Sequence, residues 1–259
     1  MLKLGIFGAS GRVGKLLIDE IAQSTDLEVS IVYARDNLES LHAQGLRVAK
    51  DIKEFLQSCE CVIDFSSAIG SLELIKTALE NNLARPMVIG STGFSQDDFT
   101  HIKNASQILP ILQASNMSRG VSVLNKLSSL TARALKESDI EIVEIHHHHK
   151  KDAPSGTALT LAQTCAQARG LDIDKVRISG RDGNIGARSK DEIGVMSLRG
   201  GDVVGRHTIG FYLDGEYLEL THNATSRATF AKGAIAAARW LVNQKAGLYG
   251  IEDFLCLDS

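Results

Sequence analysis

Three absences restrict what this chain can be. Its 259 residues include four cysteines, and no two of them form a CxxC pair. We therefore expect no cysteine-based zinc site, and a reduced, cytoplasmic protein is the default. No apolar run approaches the ~18 residues that a membrane-spanning helix needs. The formal net charge is −3, and without a basic excess we expect neither nucleic acid nor an anionic membrane as a partner.

The N-terminal segment also lacks the long apolar core of a signal peptide, because MLKLGIFGAS already reaches a glycine at Gly5. Export is therefore not expected. The composition is ordinary for a soluble protein, with 44% hydrophobic and 23% charged residues. A chain of this length can form two domains of moderate size, each with its own core.

The first half alternates short apolar runs with segments of helical periodicity. This alternation predicts an α/β domain, a Rossmann-like doubly wound parallel sheet with helices on both faces. The predicted strands are residues 2–7, 27–33, 61–65, 86–90 and 108–114, and the predicted helices are 12–22, 69–81 and 95–106.

The pattern changes near residue 118 and predicts a second, α+β domain with a mostly antiparallel sheet. Asp214-Gly215 between two alternating runs is a strong hairpin signal. We predict a dinucleotide-binding domain over 1–118, completed by a last helix within 227–259, and a substrate-binding and oligomerisation domain over 119–226. The other predicted elements are a helix over 118–137, a strand over 139–146, a loop leading into a helix within 152–168, a loop over 180–192, and hairpin strands over 207–213 and 216–222.

A glycine-rich loop follows the first predicted strand. GIFGASGRVG spaces Gly8, Gly11 and Gly14 so that the backbone can approach a pyrophosphate, with the first amides of the next helix pointing at it. Arg12 can add positive charge to a phosphate. The alternative is a tight strand–helix turn without a ligand, but the position directly between strand and helix favours a dinucleotide.

The end of the second strand bears on the choice of cofactor. An acidic residue there normally accepts the ribose hydroxyls of NAD, whereas this chain has Ala34-Arg35-Asp36. Arg35 suits a 2′-phosphate and favours NADPH. NADH stays possible, because Asp36 takes the acidic role if the register shifts by one, and exposed arginines after strands are also common for solubility alone.

Small and amide-bearing residues follow the later strands, where ligands of doubly wound sheets bind. They suit nicotinamide and its ribose, and comprise Ser66, Gly90, Ser91, Thr92 and Asn116.

The histidine run in EIVEIHHHHKKDAPSGTA lies well inside the chain, so it is not a terminal tag. A metal clip is disfavoured, because strand alternation prevents four adjacent histidines from converging and no cysteine or paired carboxylate joins them. The following residues predict a helix start, with Ser155 or Thr157 as cap, Pro154 before it and Gly156 exposing bare amides. With Lys150 this makes an anion site, most simply for a carboxylate, beside histidine acid–base chemistry.

The motif E-x-H-H-x-x-K-x-D-x-P-S-G-T-A over residues 144–158 resembles the signature of the 4-hydroxy-tetrahydrodipicolinate reductase family. GASGRVG, VIDFSS, GSTGF, ASNMS, GGDVVGRHT and THNATSRATFAKGA resemble family segments in the same order, so the resemblance covers most of the chain. It implies NAD(P)H-dependent reduction of a small dicarboxylate cyclic imine, 4-hydroxy-tetrahydrodipicolinate, in diaminopimelate and lysine biosynthesis. It also implies a homotetramer formed through the second domain.

The resemblance also implies the site residues. His146 would be the acid/base residue and Lys150 a proton donor, while His147, Gly156 and Thr157, with Ser155 at the same turn, would hold the substrate carboxylates. His148 and His149 fall at positions that the motif leaves free. The cofactor would be surrounded by Gly8, Ala9, Ser10, Gly11, Arg12, Val13, Gly90, Ser91, Thr92, Ala114, Ser115, Asn116 and Met117. Family members that use either cofactor carry Glu-Arg after the second strand, so Ala34 in place of the acid again favours NADPH.

Two other functions are compatible with parts of the sequence. Another two-domain dehydrogenase of amino-acid-like substrates, such as aspartate dehydrogenase, would share the glycine loop but not the histidine motif. A nucleotide-sensing regulator or metal-binding module would need a basic DNA-reading helix or true ligand spacing, and neither is evident. Arg181 and Arg188 in the 180–192 loop either reach toward the substrate or a neighbouring subunit, or are solvated.

Overall fold

The computed structural model describes residues 1–257. The chain forms two compact units, Met1–Arg119 together with Arg227–Ser259, and Gly120–Ser226. No helix within the described residues is long and apolar enough to span a membrane.

The first unit is built on a six-stranded parallel sheet with the order β11-β5-β4-β3-β1-β2. The strand order reverses between β1 and β3, and ligands of such sheets bind outside the carboxyl ends of the strands at this reversal. The strands are β1 (Leu2–Phe7), β2 (Leu27–Tyr33), β3 (Cys61–Asp64), β4 (Met87–Ile89), β5 (Pro110–Gln113) and β11 (Gly247–Tyr249). The helices are α1 (Arg12–Ala22), α2 (Leu38–Ala43), α3 (Ile52–Gln57), α4 (Ala68–Glu80), α5 (Gln96–Ala105), α9 (Ala228–Leu241) and α10 (Ile251–Phe254).

Both faces of this sheet are covered by apolar side chains, which explains why its strands are continuous apolar runs. Leu4, Ile6 and Ile63 point to one side, where α1 and α9 pack. Phe7 and Val62 point to the other side, into a core shared with α3, α4 and α5. The Rossmann-like parallel sheet predicted from the sequence is confirmed.

The second unit is built on a five-stranded mixed sheet with the order β10-β9-β6-β8-β7. The predicted hairpin is present, and the β9–β10 and β6–β9 pairs are antiparallel. The β6–β8 and β7–β8 pairs are parallel. The connection from β6 runs through the helices α7 and α8, and the connection from β7 to β8 is the 180–192 loop. The elements are α6 (Arg119–Ala134), β6 (Asp139–His146), α7 (Gly156–Arg169), α8 (Ile173–Val176), β7 (Arg177–Ile178), β8 (Ile193–Arg199), β9 (Gly205–Leu213) and β10 (Glu216–Ala224).

One face of this sheet is apolar along half of its length and polar along the rest. On β6 the residues Ile140 and Ile142 are fully buried in a core with α6 and α7. The next two residues on the same face are Glu144 and His146, by the period of two of a strand. The same alternation therefore supplies both the core and a polar cluster at the carboxyl end of β6.

The predicted loop over 180–192 is fixed by ion pairs within the chain. Arg181 contacts Glu141 through both terminal nitrogens, at 3.0 and 2.7 Å, and also pairs with Glu192. Arg188 contacts Glu141 at 3.1 Å and Asp139 at 2.6 Å. Within this chain these two arginines hold the loop to β6.

Candidate active site

The glycine-rich loop between β1 and α1 has the geometry of a phosphate cradle. Gly8 has φ +85°, and a Cβ there would lie 2.8 Å from the carbonyl oxygen of Phe65. A Cβ on Gly14 would lie 2.4 Å from the Gly8 oxygen, so the loop packs on the helix without side chains between them. Gly11 is the N-cap of α1 and provides no side-chain cap. The first-turn amides of α1 therefore remain available to an anion, and the residues fit a dinucleotide pyrophosphate.

A cleft lies at the carboxyl ends of β1, β2 and β3, where the strand order reverses. Its lining residues are Phe7, Gly8, Ser10, Gly11, Tyr33, Ala34, Arg35, Asp36, Phe65 and Ser66. Arg35 donates to Ser67 Oγ at 3.2 Å, and the Asp36 carboxylate accepts from Ser10 Oγ at 2.5 Å. The cleft thus brings both a basic and an acidic residue to the end of β2.

The predicted cofactor residues after β4 and β5 lie at the same edge of the sheet but do not line this cleft, and neither do Ala9, Arg12 and Val13 of the glycine-rich loop. A Cβ on Gly90 would lie 2.4 Å from the ring of Phe65, so glycine lets that ring pack at the cleft wall. Ser91 and Met117 are buried. The Met117 carbonyl packs against Gly233 on α9, where a Cβ would lie 1.8 Å from the carbonyl oxygen.

Asp64 at the end of β3 is fully buried, and its hydrogen bonds connect the segment after β3 with the segment after β4. It accepts from the Ser66 amide at 2.8 Å, from the Ser71 hydroxyl, and from the Ser91 hydroxyl at 3.4 Å. Burial without a cation raises the pKa of this carboxyl, although the hydrogen bonds from Ser71 and Ser66 act in the opposite sense. The segments after β3 and β4 are therefore connected through one buried carboxyl group.

In the second unit the centre of the polar cluster is the buried carboxylate of Glu144. Arg199 approaches it bidentately, at 2.9 and 2.8 Å, and His146 Nδ1 lies 2.6 Å from Oε2. The Ser155 amide donates to Oε1 at 3.1 Å. Burial raises the pKa of Glu144, but the hydrogen bonds from Arg199 and His146 outweigh it and lower the pKa to about 2. Glu144 is therefore ionised at neutral pH.

His207 adds a neutral imidazole to this cluster. Its Nε2 is 2.9 Å from Ser155 Oγ, and its ring meets the ring of His146 edge-on at 5.2 Å. Burial, together with the nearby His146, lowers the pKa of His207 to about 4. Ser155 Oγ also accepts from the Ala158 amide at 3.2 Å, which makes Ser155 the N-cap of α7. The amide and hydroxyl of Ser155 thus already have partners within the chain.

The start of α7 has the open geometry predicted for an anion site. α7 begins at Gly156, and nothing lies within 4 Å of a Cβ placed there. The amides of Gly156 and Thr157 belong to its first turn, where backbone N–H groups have no helical acceptor and a negative charge is stabilised.

The structure separates the four histidines. His146 and His147 are partly buried, whereas His148 and His149 are exposed, with their ring centroids 3.9 Å apart and their planes tilted by 57°. Amides of the run bond to a neighbouring turn, His147 N to Val203 O at 2.7 Å and His148 N to Gly201 O. Within residues 1–257 no group of three or more potential ligands has metal-binding geometry.

Lys150 lies on the loop between β6 and α7. Its ammonium contacts both carboxylate oxygens of Asp152, at 2.9 and 2.8 Å. Asp152 is exposed, with 65% of its side-chain surface accessible, whereas Lys150 is 18% accessible. The hydrogen bonds from Lys150 lower the pKa of Asp152.

Sequence reasoning did not assign roles to Asp64, Arg199 or His207. Arg199 stands opposite His146 on the parallel neighbour β8, and His207 stands opposite Glu144 on the antiparallel neighbour β9. These contacts depend on the register between strands, which no local spacing of residues in the sequence predicts. The alternation of β6 was the available signal, because it places Glu144 and His146 on the buried face.

Comparison with known proteins assigns the chain to a family. Two family models match it, dihydrodipicolinate reductase, N-terminus, over residues 2–117 and dihydrodipicolinate reductase, C-terminus, over residues 120–255. A protein of Helicobacter hepaticus named 4-hydroxy-tetrahydrodipicolinate reductase is 62% identical over 98% of this chain and 99% of that protein. A protein of the same name from Sulfurimonas denitrificans is 56% identical over the same shares.

A solved structure agrees with this assignment at the level of fold. A dipicolinate-bound dihydrodipicolinate reductase from Paenisporosarcina sp. TG-14 has a TM-score of 0.79 and 23% identity, covering 98% of this chain and 99% of that chain. The first unit has the fold of NAD(P)-dependent dehydrogenases. With both halves matched and relatives this similar over nearly their whole length, the chain belongs to the dihydrodipicolinate reductase family.

Proposed function

We propose that this chain catalyses the NAD(P)H-dependent reduction of 4-hydroxy-tetrahydrodipicolinate to tetrahydrodipicolinate in diaminopimelate and lysine biosynthesis. The observation that carries the proposal is the contact of His146 with a buried, arginine-paired carboxylate beside the start of α7. This contact supports acid–base chemistry by His146 next to an anion site. Family membership identifies the substrate.

The reaction consumes one hydride and one proton. The hydride hydrogen replaces the ring hydroxyl of the substrate, and this hydroxyl leaves as water after taking up the proton. Bound NAD(P)H supplies the hydride. The task of the protein is to hold a small cyclic imine by its two carboxylates and to deliver the proton.

We assign proton transfer to His146 as acid/base and to Lys150 as donor. Within the chain the Lys150 ammonium pairs with Asp152. Because Asp152 is largely exposed, a substrate carboxylate can take its place on Lys150 without leaving a buried charge unpaired.

We assign the substrate carboxylates to the first turn of α7, to the amides of Gly156 and Thr157, with His147 beside them. Ser155 belongs to the same site, where it shapes the turn as the helix cap, since its own polar groups are already bonded.

We assign the second unit to substrate binding and the first unit to the dinucleotide. The pyrophosphate binds residues 8–13, and residues 90–92 and 114–117 surround the nicotinamide half. Arg35 at the cleft favours NADPH, and NADH is accepted less well. The Asp36 carboxylate is already bonded to Ser10, which leaves the guanidinium of Arg35 as the recognition group for a 2′-phosphate.

The assay that tests the function follows NADPH and NADH oxidation with substrate formed in situ from pyruvate and aspartate semialdehyde. We expect oxidation by the wild type, and kcat values lowered at least ~100-fold by His146→Gln and Lys150→Ala. Matched controls are His148→Gln and Lys151→Ala, neighbouring exposed residues, which should keep the wild-type kcat. A folded wild type that binds NADPH but oxidises none of it would refute the proposal.

The cofactor assignment has its own test. Arg35→Gln should raise the KM for NADPH about 10-fold, because one charge-assisted contact is lost, and leave the KM for NADH within about 2-fold. Gly8→Ala should abolish binding of both, whereas Gly45→Ala, also at positive φ but in open space, should keep both affinities. Better use of NADH than NADPH by the wild type would contradict this assignment.

We also propose a homotetramer that forms through the outward face of the second sheet, and location in a reducing compartment, the cytoplasm. The outward face exposes Tyr217 at 67% and Leu198 at 51%, and the four cysteines are free thiols. Light scattering should give four times the chain mass of 27.9 kDa. A monomer at micromolar concentration would contradict the assembly.

A further inference from the structure

Every lone pair of the buried Glu144 carboxylate faces a donor. Oε1 accepts from Arg199 Nη2 at 2.8 Å and from the Ser155 amide at 3.1 Å. Oε2 accepts from Arg199 Nη1 at 2.9 Å and lies 2.6 Å from His146 Nδ1. An ionised carboxylate only accepts hydrogen bonds, so a contact this short requires the proton on Nδ1.

The other ring nitrogen of His146 is thereby defined. With Nδ1 protonated, the neutral ring carries its lone pair on Nε2. No side-chain hydrogen bond to Nε2 occurs within residues 1–257. A Cβ on Gly205 would lie 3.0 Å from Nε2, so glycine at the start of β9 keeps the approach to this atom open.

We propose that Glu144, paired with Arg199, is a positioning residue that fixes His146 as the Nδ1–H tautomer and presents Nε2 for proton transfer. The inference rests on the proposed function, and it deepens it by naming the atom that exchanges the proton. Through the Ser155 amide the same carboxylate fixes the start of α7, so one buried charge orients both the acid–base group and the anion site.

A purely structural ion pair is the competing explanation. Arg199 also donates to the Asp152 carbonyl oxygen at 2.7 Å, so the Glu144–Arg199 pair closes the loop between β6 and α7. If the ion pair had only this task, changing the ring proton of His146 through Glu144 would leave kcat unchanged. The two explanations therefore differ in whether proton transfer depends on the tautomer that Glu144 imposes.

Glu144→Gln separates them, because it keeps the shape of the side chain and replaces one acceptor by an amide donor. If the glutamine oxygen accepts from Arg199 and Ser155, its NH2 group faces His146 Nδ1 and forces the proton onto Nε2. The ring then blocks proton uptake at the reacting nitrogen. An Asp→Asn change at the analogous position of a serine protease triad lowers kcat about 10⁴-fold through the wrong tautomer.

The test combines histidine ¹⁵N NMR with kinetics. In long-range ¹H–¹⁵N spectra of ¹⁵N-histidine-labelled protein, the resonances lost in His146→Gln identify the ring. We expect the Nδ1–H tautomer in the wild type and the Nε2–H tautomer in Glu144→Gln. We expect kcat to fall about 10²- to 10⁴-fold, with the KM for NADPH within about 2-fold.

The matched control is Glu141→Gln, on the same strand but the opposite face, which also removes a carboxylate from arginine partners. It should leave the His146 tautomer unchanged. A wild-type His146 in the Nε2–H form, measurable even if Glu144→Gln does not fold, overturns the inference. So does a Glu144→Gln protein with kcat within about 3-fold of the wild type. A wild type that shows the Nδ1–H form but no NADPH oxidation refutes the proposed function instead.

Discussion

Each of the two units buries a carboxyl group completely, and the pKa values of these two groups are shifted in opposite directions. Asp64 at the end of β3 is surrounded by serine hydroxyls and an amide, and its pKa is raised. Glu144 near the end of β6 has the guanidinium of Arg199, and its pKa is lowered to about 2. Burial is the same, so the partner decides the direction of the shift: the guanidinium lowers the pKa of Glu144, whereas burial without a cation raises the pKa of Asp64.

This difference matches the proposed ligands. A dinucleotide brings negative phosphates to the first unit, where the raised pKa of Asp64 disfavours a further negative charge. In the second unit an ionised Glu144 is compensated by Arg199, so the pair orients His146 without adding net charge to a site for a dicarboxylate.

The strongest test of this difference between Asp64 and Glu144 is to remove the guanidinium that pairs with Glu144. Arg199→Met should lower the free energy of unfolding by about 3–5 kcal/mol, because it leaves a buried carboxylate without its partner. Urea unfolding at pH 7 measures this loss. Arg181→Met removes a partly exposed ion pair and should lose at most about 1 kcal/mol. Equal losses would mean that Glu144 is not ionised in the fold.

The next largest expected effect is a loss of stability at low pH, caused by protonation of His207 in the second unit. His207 has its pKa lowered from 6.5 to about 4, so it is neutral in the fold and protonated when unfolded. Its contribution is present above pH 6.5 and is lost as the pH falls to about 4, amounting to up to about 3 kcal/mol. Unfolding free energies measured from pH 7.5 to 4 should fall less steeply for His207→Gln. Parallel curves would show that His207 is already protonated.

The sheet registers explain how far the sequence could anticipate these clusters. Alternation along residues 139–146 predicts which residues share a face, and apolar runs predict the parallel strands. The pairing of Glu144 with Arg199 was not predictable, because 55 residues separate them and only the parallel β6–β8 register brings them together. The raised pKa of Asp64 was not predictable for the same reason, since burial between two strand ends is a property of the assembled sheet.

A smaller effect compares amide replacements of the two carboxyls. Glu144→Gln should lower the free energy of unfolding by about 2 kcal/mol at pH 7, because an amide donor meets the donors of Arg199. Asp64→Asn should change it by less than about 1 kcal/mol, because burial without a cation already disfavours the charged form of Asp64. The same urea titrations decide the point. A loss for Asp64→Asn as large as for Glu144→Gln would show that Asp64 is ionised.

The smallest expected effect is on how the free energy of unfolding changes with pH above the ordinary pKa of Asp64. The pKa of Asp64 is raised above its ordinary 3.8. The stability that this shift contributes is therefore fully present below pH 3.8. It is lost as the pH rises through the raised value. Asp64→Asn should remove this part of the pH dependence, and Ser71→Ala should cost about 1 kcal/mol by deleting one hydrogen bond. If Asp64→Asn keeps the wild-type pH dependence, a group other than Asp64 takes up the proton.

The sheet of the second unit also couples the 180–192 loop to a position outside it. Glu141 lies between Gly194 and Gly210 in the sheet register, and a Cβ on Gly194 would lie 1.9 Å from its Oε2. A side chain at Gly194 would therefore require the carboxylate that holds Arg181 and Arg188 to move. The missing side chain on β8 is thus part of what anchors the loop, because it leaves the space that this carboxylate occupies.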